Sequence, residues 1–530
     1  MIRGRSRSHA PTLAAVIGLA FSGALACGPS GNGGETGTAG TTGAAGATGG
    51  GAAGTGGGAA GSGGTTGVAG TSGTGGGTAG ATGGSGAGGT GGGGAAGAGG
   101  MAGGSAGAGG RGGGAAGSGG GGTAGRGGTT GTGGGGMSGR GGTTGTGGSG
   151  GGATANWVGT WATGPQLTEP GNIPPNPPGL TNNTLRQIVF TSISGSQIRL
   201  RLSNEFGDGA VTMSAVHIAL STTGGSIDTS TDKALTFSGA AAVTIATGQA
   251  VFSDPIDFAL PALAKVAITI AFGATPPGIT GHPGSRTTSY LATGNMVGAA
   301  TLSGAVTTEH WYYIVGLDVV AGATTASVVT LGDSITDGRG STTDMNNRWP
   351  DQLSKRLQPN AATMNKVGVL NQGIGGNAVL AGGLGPTAMQ RFARDVLQMR
   401  GVKWLIIFEG VNDIGGSSNG AATATQLTTA FSSFADMAHA QGIKVYGATI
   451  TPFNGNSYYS ADHELARTMV NTFIRTSTKF DAVLDFDMAV RDPADASRLL
   501  PAYSMDGLHM LPAGYQKVAD SINLALFTNP

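Results

Sequence analysis

A segment of extreme composition limits which parts of this chain can fold. Residues 28–154 consist almost entirely of Gly, Ala, Thr and Ser, and most of the 110 glycines of the 530-residue chain lie there. Such a segment has almost no large apolar side chains, so burial cannot repay the entropy lost on ordering the backbone. The sequence therefore predicts a disordered linker over residues 28–154. The remainder, residues 155–530, is long enough for two domains.

Residues 1–26 have the pattern of an export signal. Three arginines within the first seven residues precede an apolar stretch, residues 13–25, that is too short for a stable membrane span. The stretch ends in Ala24-Leu25-Ala26-Cys27, which resembles a bacterial lipobox with its alanine and leucine in unusual positions. We expect Cys27, the only cysteine of the chain, to be acylated, although the two alanines also fit an ordinary signal-peptidase site. The protein is expected to be exported and anchored by lipid at the bacterial cell surface, or otherwise secreted.

The distribution of charge argues against a nucleic-acid partner. The formal net charge is +1, and the basic residues of residues 155–530 are dispersed along the chain. Phosphate backbones are bound by concentrated Lys and Arg surfaces, which this pattern does not offer. The only membrane contact that we expect is through the lipid on Cys27.

The segment 155–325 has the pattern of a β-rich domain. Short β-branched or alternating runs recur between clusters of Gly, Asn, Asp, Ser and Pro, and long helical periodicity is absent. This pattern predicts an antiparallel β-sandwich or jelly roll. Such a domain either binds carbohydrate or braces its neighbour, and the sequence leaves both open. The predicted strands are residues 186–191, 197–202, 211–220, 263–272 and 311–320.

From residue 326 onward, apolar strands alternate with amphipathic helices. This alternation predicts an α/β domain over residues 326–530, with a parallel sheet of about five strands and helices on both faces. Met389, Leu465 and Met469 are predicted to face inward from their helices. The predicted helices are residues 349–357, 387–400, 425–441, 461–479 and 512–527; the main predicted strands are residues 328–331, 367–371, 402–408, 443–451 and 482–486.

Polar residues follow several of these strands, at the sheet edge where α/β proteins place their sites. Ser334 follows the first strand, Gly376 the second and Asn412 the third, while Asp506 and His509 precede the last helix. Acyl transfer needs a hydroxyl, a base to activate it and a carboxylate to orient that base. Ser334, His509 and Asp506 suit these roles. The backbone N–H groups of Ser334 and Gly376 and the Asn412 amide suit an oxyanion hole.

Together these residues resemble the four signature blocks of the SGNH, or GDSL, hydrolases. The resemblance covers about residues 327–530 and implies a flavodoxin-like three-layer fold, ester hydrolysis by a Ser-His-Asp triad, and neither metal nor cofactor. The blocks appear in their usual order as Gly332-Asp333-Ser334, Gly376, Gly410-x-Asn412-Asp413 and Asp506-x-x-His509.

The β-rich region has a resemblance of its own. Residues 159–162, 185–187 and 199–204 are similar to the N-terminal region of a secreted subgroup that includes xylanase-associated acyl esterases. This similarity implies a short acyl ester as substrate, such as an O-acetyl group on polysaccharide. Two other functions stay open: a lipase-like acylhydrolase for longer chains, and a non-catalytic surface module that binds glycans.

Several other polar residues are interpreted as structural. Asp333, Asp337 and Asp344 could suggest a cation site, but no second cluster at ligand spacing supports a metal. Asp413 is predicted to brace its loop. The histidines interpreted as structural or surface groups are His217, His282, His310, His439 and His463.

Overall fold

The computed structural model describes residues 155–530. The predicted export signal, the predicted lipidation site at Cys27 and the predicted linker lie outside the described residues. Between residues 155 and 530, no helix combines the length and the apolar character needed to cross a membrane.

Antiparallel strands make up most of residues 157–320. Their β-branched and aromatic residues favour extended backbone, because such side chains pack well on a pleated surface. The strands are β1 Trp157–Ala162, β2 Gln166–Leu167, β3 Asn183–Phe190, β4 Gly195–Ser203, β5 Val211–Leu220, β6 Lys233–Ala234, β7 Val243–Ile245, β8 Ala250–Phe252, β9 Ile256–Leu260, β10 Lys265–Phe272, β11 Thr280–His282, β12 Ser289–Thr293, β13 Val306–Thr308, β14 Trp311–Tyr312 and β15 Ile314–Val320. Short 3-10 helices span Pro170–Asn172 and Thr229–Thr231.

Two antiparallel sheets of this region share one core. The first has the order β1-β15-β4-β8 with β9 also paired to β4, and the second has the order β13-β12-β3-β10-β5-β6 with β7 also paired to β5. Alternate residues of β4 (Ile198, Leu200) and of β10 (Ile268, Ile270) meet in a single buried cluster, as the inner faces of a sandwich do. A third, small sheet has the order β14-β11-β2. The prediction of a β-rich domain is confirmed.

The remaining described residues form the predicted α/β domain. Its strands are β16 Ala326–Gly332, β17 Val367–Gly373, β18 Val402–Phe408, β19 Lys444–Ala448, β20 Ala482–Leu484, β21 Arg491–Asp492 and β22 Asp495–Leu499. Its α-helices are α1 Ser334–Asp337, α2 Trp349–Leu357, α3 Ala388–Phe392, α4 Val411–Gly415, α5 Gly420–His439, α6 Ala461–Thr476, α7 Phe486–Val490 and α8 Pro512–Ser521. A π-helical segment spans Ala393–Leu397, and 3-10 helices span Pro501–Tyr503 and Leu524–Phe527.

The central sheet is parallel and has the order β17-β16-β18-β19-β20. This is the 2-1-3-4-5 order of a flavodoxin-like fold, so the predicted fold class is confirmed. Crossover connections between parallel strands are right-handed. The chain adds β17 on one side of β16, and then adds β18, β19 and β20 on the other side. Helix α2 therefore lies on one face of the sheet with α8, against which it packs, while α5 and α6 pack together on the other. The strand order changes direction at β16, directly before Ser334.

The predicted helix over residues 387–400 is shorter and irregular. Helix α3 ends at Phe392, and the π-helical segment continues the chain. Met389, predicted to face inward, is 54% exposed, whereas Phe392 and Val396 are buried. The prediction for Met389 is wrong because the helix turns a charged residue, Arg391, into the interior instead.

Helix α6 shows the same kind of error. Leu465 and Met469, predicted to face inward, are 53% and 39% exposed. The buried face carries Arg467, Val470 and Asn471, of which two are polar. A helical face assigned from apolar spacing alone is therefore displaced by about one residue.

The C-terminal region differs from its prediction as well. The helix that begins at Pro512 ends at Ser521, and a separate 3-10 helix follows instead of a continuous helix to residue 527. The connection from β20 to α8 contains helix α7 and the β21–β22 hairpin, for which no element was predicted.

The β-rich and α/β regions lie in one compact unit and share an extensive interface. Strand β1 packs against β17, where a Cβ on Gly159 would lie 2.9 Å from Leu370 Cδ1. The Gly159 N–H donates to the Arg400 carbonyl (3.1 Å), and the Ser327 hydroxyl donates to the Gly159 carbonyl (3.0 Å). The absence of a side chain at Gly159 therefore lets the two regions approach closely.

Candidate active site

Ser334 stands at a sharp turn after the central strand β16. Gly332 ends the strand, and the Asp333 carboxylate accepts a hydrogen bond from the Ile335 N–H (2.8 Å), which caps helix α1. A Cβ on Gly332 would collide with Thr336 Oγ1, so the turn requires glycine. Helix α1 therefore begins at Ser334, whose N–H has no acceptor within the helix.

The structure brings Ser334, His509 and Asp506 together. Ser334 Oγ lies 2.8 Å from His509 Nε2, and His509 Nδ1 lies 2.8 Å from Asp506 Oδ2. The backbone N–H groups of Leu508 and His509 donate to Asp506 Oδ1 (3.1 and 2.7 Å). The tight loop that makes these contacts passes through Gly507 at φ 84°.

The charge on Asp506 determines which ring nitrogen of His509 carries a proton. Partial burial opposes ionisation of Asp506, but hydrogen bonds from the His509 ring and from backbone N–H groups outweigh it and lower the pKa of Asp506 to about 2. The ionised carboxylate accepts the proton on Nδ1. Nε2 of the neutral ring is then left to accept the proton of the Ser334 hydroxyl.

The predicted oxyanion donors lie on loops that contact one another. The Asn412 amide donates to the Asn377 carbonyl (2.8 Å), and Asn377 directly follows Gly376. Gly376 adopts φ 69°, a conformation that favours glycine, and its N–H finds no acceptor within residues 155–530. Asp413, predicted to brace this region, accepts hydrogen bonds from the N–H groups of Val379 and Leu380 (2.8 and 2.9 Å).

A buried arginine ties the strand ends together. Arg391 donates to the carbonyls of Gly332 (3.0 Å) and Gln372 (2.6 Å), which lie on β16 and β17. It also donates to the Glu409 carboxylate (3.1 Å), which follows β18, and to Asn377 Oδ1 (3.0 Å). Sequence reasoning missed Arg391, because an arginine on a short helix gives the same local signal as a surface residue.

Two buried carboxyls lie beside this arginine. Burial, reinforced by the negative charges of Asp413 and Asp337, raises the pKa of Asp333 to about 7. Burial and the charge of Asp333 likewise raise the pKa of Glu409 well above its ordinary value, although Arg391 acts against this. Asp333 and Glu409 together are therefore expected to retain a proton near neutral pH. This proton lies next to the turn that carries Ser334.

The other carboxylates considered in the sequence have protein partners. Asp344 accepts hydrogen bonds from the backbone N–H and hydroxyl of Thr288 (both 2.7 Å), and Asp337 lies 2.9 Å from His282. In residues 155–530, no group of three or more His, Cys, Asp or Glu side chains is placed to hold a metal ion. The other histidines interpreted as structural contact Asp232 (His217), the Pro283 carbonyl (His310), Asp481 (His439), and the Tyr458 and Ser417 carbonyls (His463).

The 2-1-3-4-5 sheet, with the Gly-Asp-Ser turn at its switch point, has the architecture of an SGNH-type α/β hydrolase domain. Residues 330–517 match the model of the GDSL-like Lipase/Acylhydrolase family. This domain therefore belongs to that family, and the protein is a carboxylic-ester hydrolase. The matched segment includes Ser334, Gly376, Asn412, Asp506 and His509.

Several solved structures resemble this chain. A GDSL-like lipase from Bacteroides thetaiotaomicron is 23% identical over 38% of this chain and 87% of that chain, at a TM-score of 0.27. An acetylxylan esterase from Geobacillus stearothermophilus is 18% identical over 40% of this chain and 97% of that chain, at a TM-score of 0.30. A lipolytic protein of the G-D-S-L family from Veillonella parvula is 17% identical over 37% of this chain and 96% of that chain, at a TM-score of 0.29. No curated protein matches this chain.

Proposed function

We propose that this protein is an exported serine esterase that hydrolyses short acyl esters with a Ser334–His509–Asp506 triad. One observation carries the proposal: two successive 2.8 Å hydrogen-bond contacts connect the Ser334 hydroxyl through the His509 ring to the Asp506 carboxylate. A hydroxyl in this arrangement gains a base, and the base gains a fixed tautomer.

Acylation follows from these positions. Ser334 Oγ attacks the ester carbonyl carbon while His509 Nε2 takes the hydroxyl proton. The resulting imidazolium is stabilised by the ionised Asp506, whose lowered pKa keeps it charged across the neutral range. When the tetrahedral intermediate collapses, the ester C–O bond breaks, and the proton on Nε2 passes to the departing alcohol.

The negative charge on the carbonyl oxygen needs donors that are already in place. The N–H groups of Ser334 and Gly376 and the Asn412 amide supply them in this proposal. Deacylation repeats the sequence with water: His509 takes a proton from water, the hydroxyl attacks the acyl-serine, and the free acid departs as Ser334 regains its proton.

The nucleophile is tested by Ser334→Ala. We expect kcat for p-nitrophenyl acetate to fall by roughly 10³-fold or more, with little change in thermal stability, because the variant lacks the attacking oxygen. Ser433→Ala, on the exposed side of α5, is the control and should retain wild-type kcat. A folded Ser334→Ala enzyme with wild-type turnover would refute the proposed mechanism.

We propose a short acyl group, such as O-acetyl on polysaccharide, following the resemblance of the β-rich region to acyl esterases. Leu384 lies directly beside Gly376, since a Cβ on that glycine would be 3.1 Å from Leu384 Cγ, so an apolar side chain adjoins the proposed oxyanion donor.

A series of p-nitrophenyl esters from acetate to decanoate distinguishes this substrate class from longer-chain lipids. We expect kcat/KM to fall as the chain lengthens, and acetate to be released from acetylated xylan. A rise in kcat/KM toward decanoate would instead favour the lipase-like alternative. If no ester is hydrolysed but the full chain binds insoluble xylan, the protein is a glycan-binding module.

A further inference from the structure

A buried histidine–aspartate pair joins the β-rich region to the helix that carries Ser334. His282, the last residue of β11, places its Nε2 2.9 Å from Oδ1 of Asp337, the last residue of α1. His282 and Asp337 are only 3% and 1% exposed. Asp337 is three residues from Ser334 in the same helical turn. A hydrogen bond that holds the Asp337 side chain therefore also helps to hold the backbone of Ser334.

The neighbours of His282 determine where its protons lie. His282 Nδ1 is 2.9 Å from the Gly164 carbonyl, which can only accept, so Nδ1 carries a proton. The contact between Nε2 and Asp337 then requires one further proton between the two atoms. Within residues 155–530, Asp337 Oδ2 has no hydrogen-bond partner, so the side-chain hydrogen bonding of Asp337 depends on His282.

The position of His282 is itself fixed by packing within the β-rich region. Its ring stacks on Trp311, with centroids 5.8 Å apart and planes inclined by 26°. Trp311 in turn meets Trp161 edge to face at 5.1 Å. The Arg348 guanidinium lies over Trp311, 5.4 Å from its centroid, and donates to the Ser285 carbonyl. The imidazole therefore cannot turn away from Asp337 without disrupting this cluster.

Asp337 also contacts the loop that holds the predicted oxyanion donor. A Cβ on Gly375, the residue before Gly376, would lie 3.4 Å from Asp337 Oδ2. There is no room for a Cβ on Gly284, where the β-rich region passes the same carboxylate, or on Gly373, where β17 passes the Asp337 backbone. The carboxylate thus lies between two backbone segments, one of the β-rich region at Gly284 and one that leads from β17 through Gly375 into the site.

Helix α1 needs such an anchor. Four residues make one helical turn, and a single turn is not stable by itself because nucleation fixes several dihedral angles for one hydrogen bond. The Asp333 cap holds its beginning, and Gly338, at φ 99°, allows the chain to leave it. The bond to His282 holds the end of α1 from the neighbouring domain.

We infer that His282 and Asp337 are positioning residues for ester hydrolysis, and that the β-rich domain sets the position of Ser334 through them. The inference rests on the proposed function, since it concerns the orientation of the proposed nucleophile. The domain then acts as part of the catalytic apparatus, whether or not it also binds polysaccharide.

Two replacements of His282 in the full chain separate positioning from packing. His282→Gln places an amide nitrogen where Nε2 was and keeps a donor for Asp337. His282→Asn keeps the nitrogen near Gly164 but cannot reach Asp337. We expect His282→Asn to lower kcat for p-nitrophenyl acetate roughly 10-fold to 100-fold with little change in KM, the scale of a small misplacement of a reacting group. His282→Gln should stay within about threefold of wild type, because the bond is kept.

His217→Ala is the matched control, because His217 pairs with Asp232 at 2.9 Å in the same domain without touching α1. It should leave kcat unchanged. All assays run at least 10 °C below the lowest melting temperature of the series, a margin of roughly the shift that one core substitution causes. If His282→Asn does not fold, Asp337→Asn and Asp337→Ala repeat the comparison, since only the first can still hydrogen-bond to Nε2.

Equal kcat for His282→Asn and wild type would overturn the inference. Equal losses for the Asn and Gln variants would also overturn it, because they would show a packing role without positioning. Neither result would affect the proposed function, which fails only if the wild-type enzyme lacks esterase activity or if Ser334→Ala retains it.

Discussion

The Tyr458 hydroxyl donates a hydrogen bond to Asn412 Oδ1 (3.0 Å) and thereby decides which way the Asn412 amide faces. With the oxygen held by Tyr458, the nitrogen is turned toward the Asn377 carbonyl and the Gly376 loop. An unanchored amide could flip and present an oxygen to the developing oxyanion, which would repel it. Tyr458 therefore belongs among the residues that sequence reasoning missed.

At this scale we predict the consequence of removing the amide. Asn412→Ala should lower kcat for p-nitrophenyl acetate by roughly 10²-fold to 10³-fold with little change in KM, since the donor acts on the transition state. Tyr458→Phe should cause a smaller loss, also in kcat. Steady-state kinetics on both variants check this expectation. An effect confined to KM would mean that Asn412 binds the substrate without stabilising the oxyanion.

The buried carboxyls give a prediction for pH. The pKa of Asp333 is raised from 3.8 to about 7, so the folded state binds this proton more tightly than the unfolded state. The contribution of Asp333 to the free energy of unfolding is therefore fully present below about pH 4 and is lost as pH rises through about 7. Asp506 has the opposite sign: its pKa is lowered to about 2, so its contribution is present above about pH 4 and lost as pH falls toward 2.

Asp333→Asn tests the first of these contributions. Asparagine still caps helix α1 but does not titrate, so the melting temperature should depend less on pH between about 4 and 7 than in wild type. Calorimetric scans across this range measure the slope. An unchanged slope would place the titration on Glu409 or elsewhere.

At the scale of elements, Arg391 joins the ends of β16, β17 and β18. Arg391→Met should destabilise the protein by about 3–5 kcal/mol, because it leaves the buried carboxyl of Glu409 without its cationic partner, while Asp395 keeps its pair with Arg394. Urea unfolding measures the change. The control is Arg498→Met: this residue is 45% exposed and pairs with Asp492, so its loss should cost about 1 kcal/mol or less. Equal effects for the two variants would contradict a special role for Arg391.

The errors in the predicted elements share one cause. Helix α2 and strand β18 match their predicted bounds, Trp349–Leu357 and Val402–Phe408. Their buried positions are mainly apolar, so the periodicity of the sequence reports them directly. On α3 and α6, the buried positions include Arg391 and Arg467, which satisfy their charges with buried carboxylates. A buried ion pair forms between distant segments, so it leaves no periodic signal in either one.

For the whole molecule, export and lipid attachment stay predictions. Cys27→Ser, expressed in a bacterium that processes lipoproteins, should move the esterase from the membrane fraction to the soluble exported fraction and abolish labelling by radioactive palmitate. The physical reason is that one thioether-linked diacylglycerol buries many CH₂ groups, each worth about 0.8 kcal/mol. Wild-type protein that carries no label and fractionates as soluble would support the ordinary signal-peptidase site instead.

Much of the architecture follows from local chemistry along the chain. The change from period-two strands to strands alternating with helices near residue 326 predicted a β-rich domain followed by a parallel α/β domain. Residues at strand ends predicted where Ser334, Gly376 and Asn412 would converge, because the carboxyl ends of parallel strands share one edge of the sheet. These features depend on backbone geometry and side-chain periodicity, which neighbouring residues determine.

The tertiary structure alone decided which distant side chains meet. Arg391 contacts three strand ends, Tyr458 holds the Asn412 amide, and His282 holds Asp337. These contacts join residues that are 18 to 59 positions apart in the chain, and the last of them crosses a domain boundary. Such contacts form only when folding closes the intervening chain, so the sequence around each partner carries no sign of the other. For that reason His282, taken from the sequence as one structural histidine among five, became the residue that links the β-rich domain to the nucleophile.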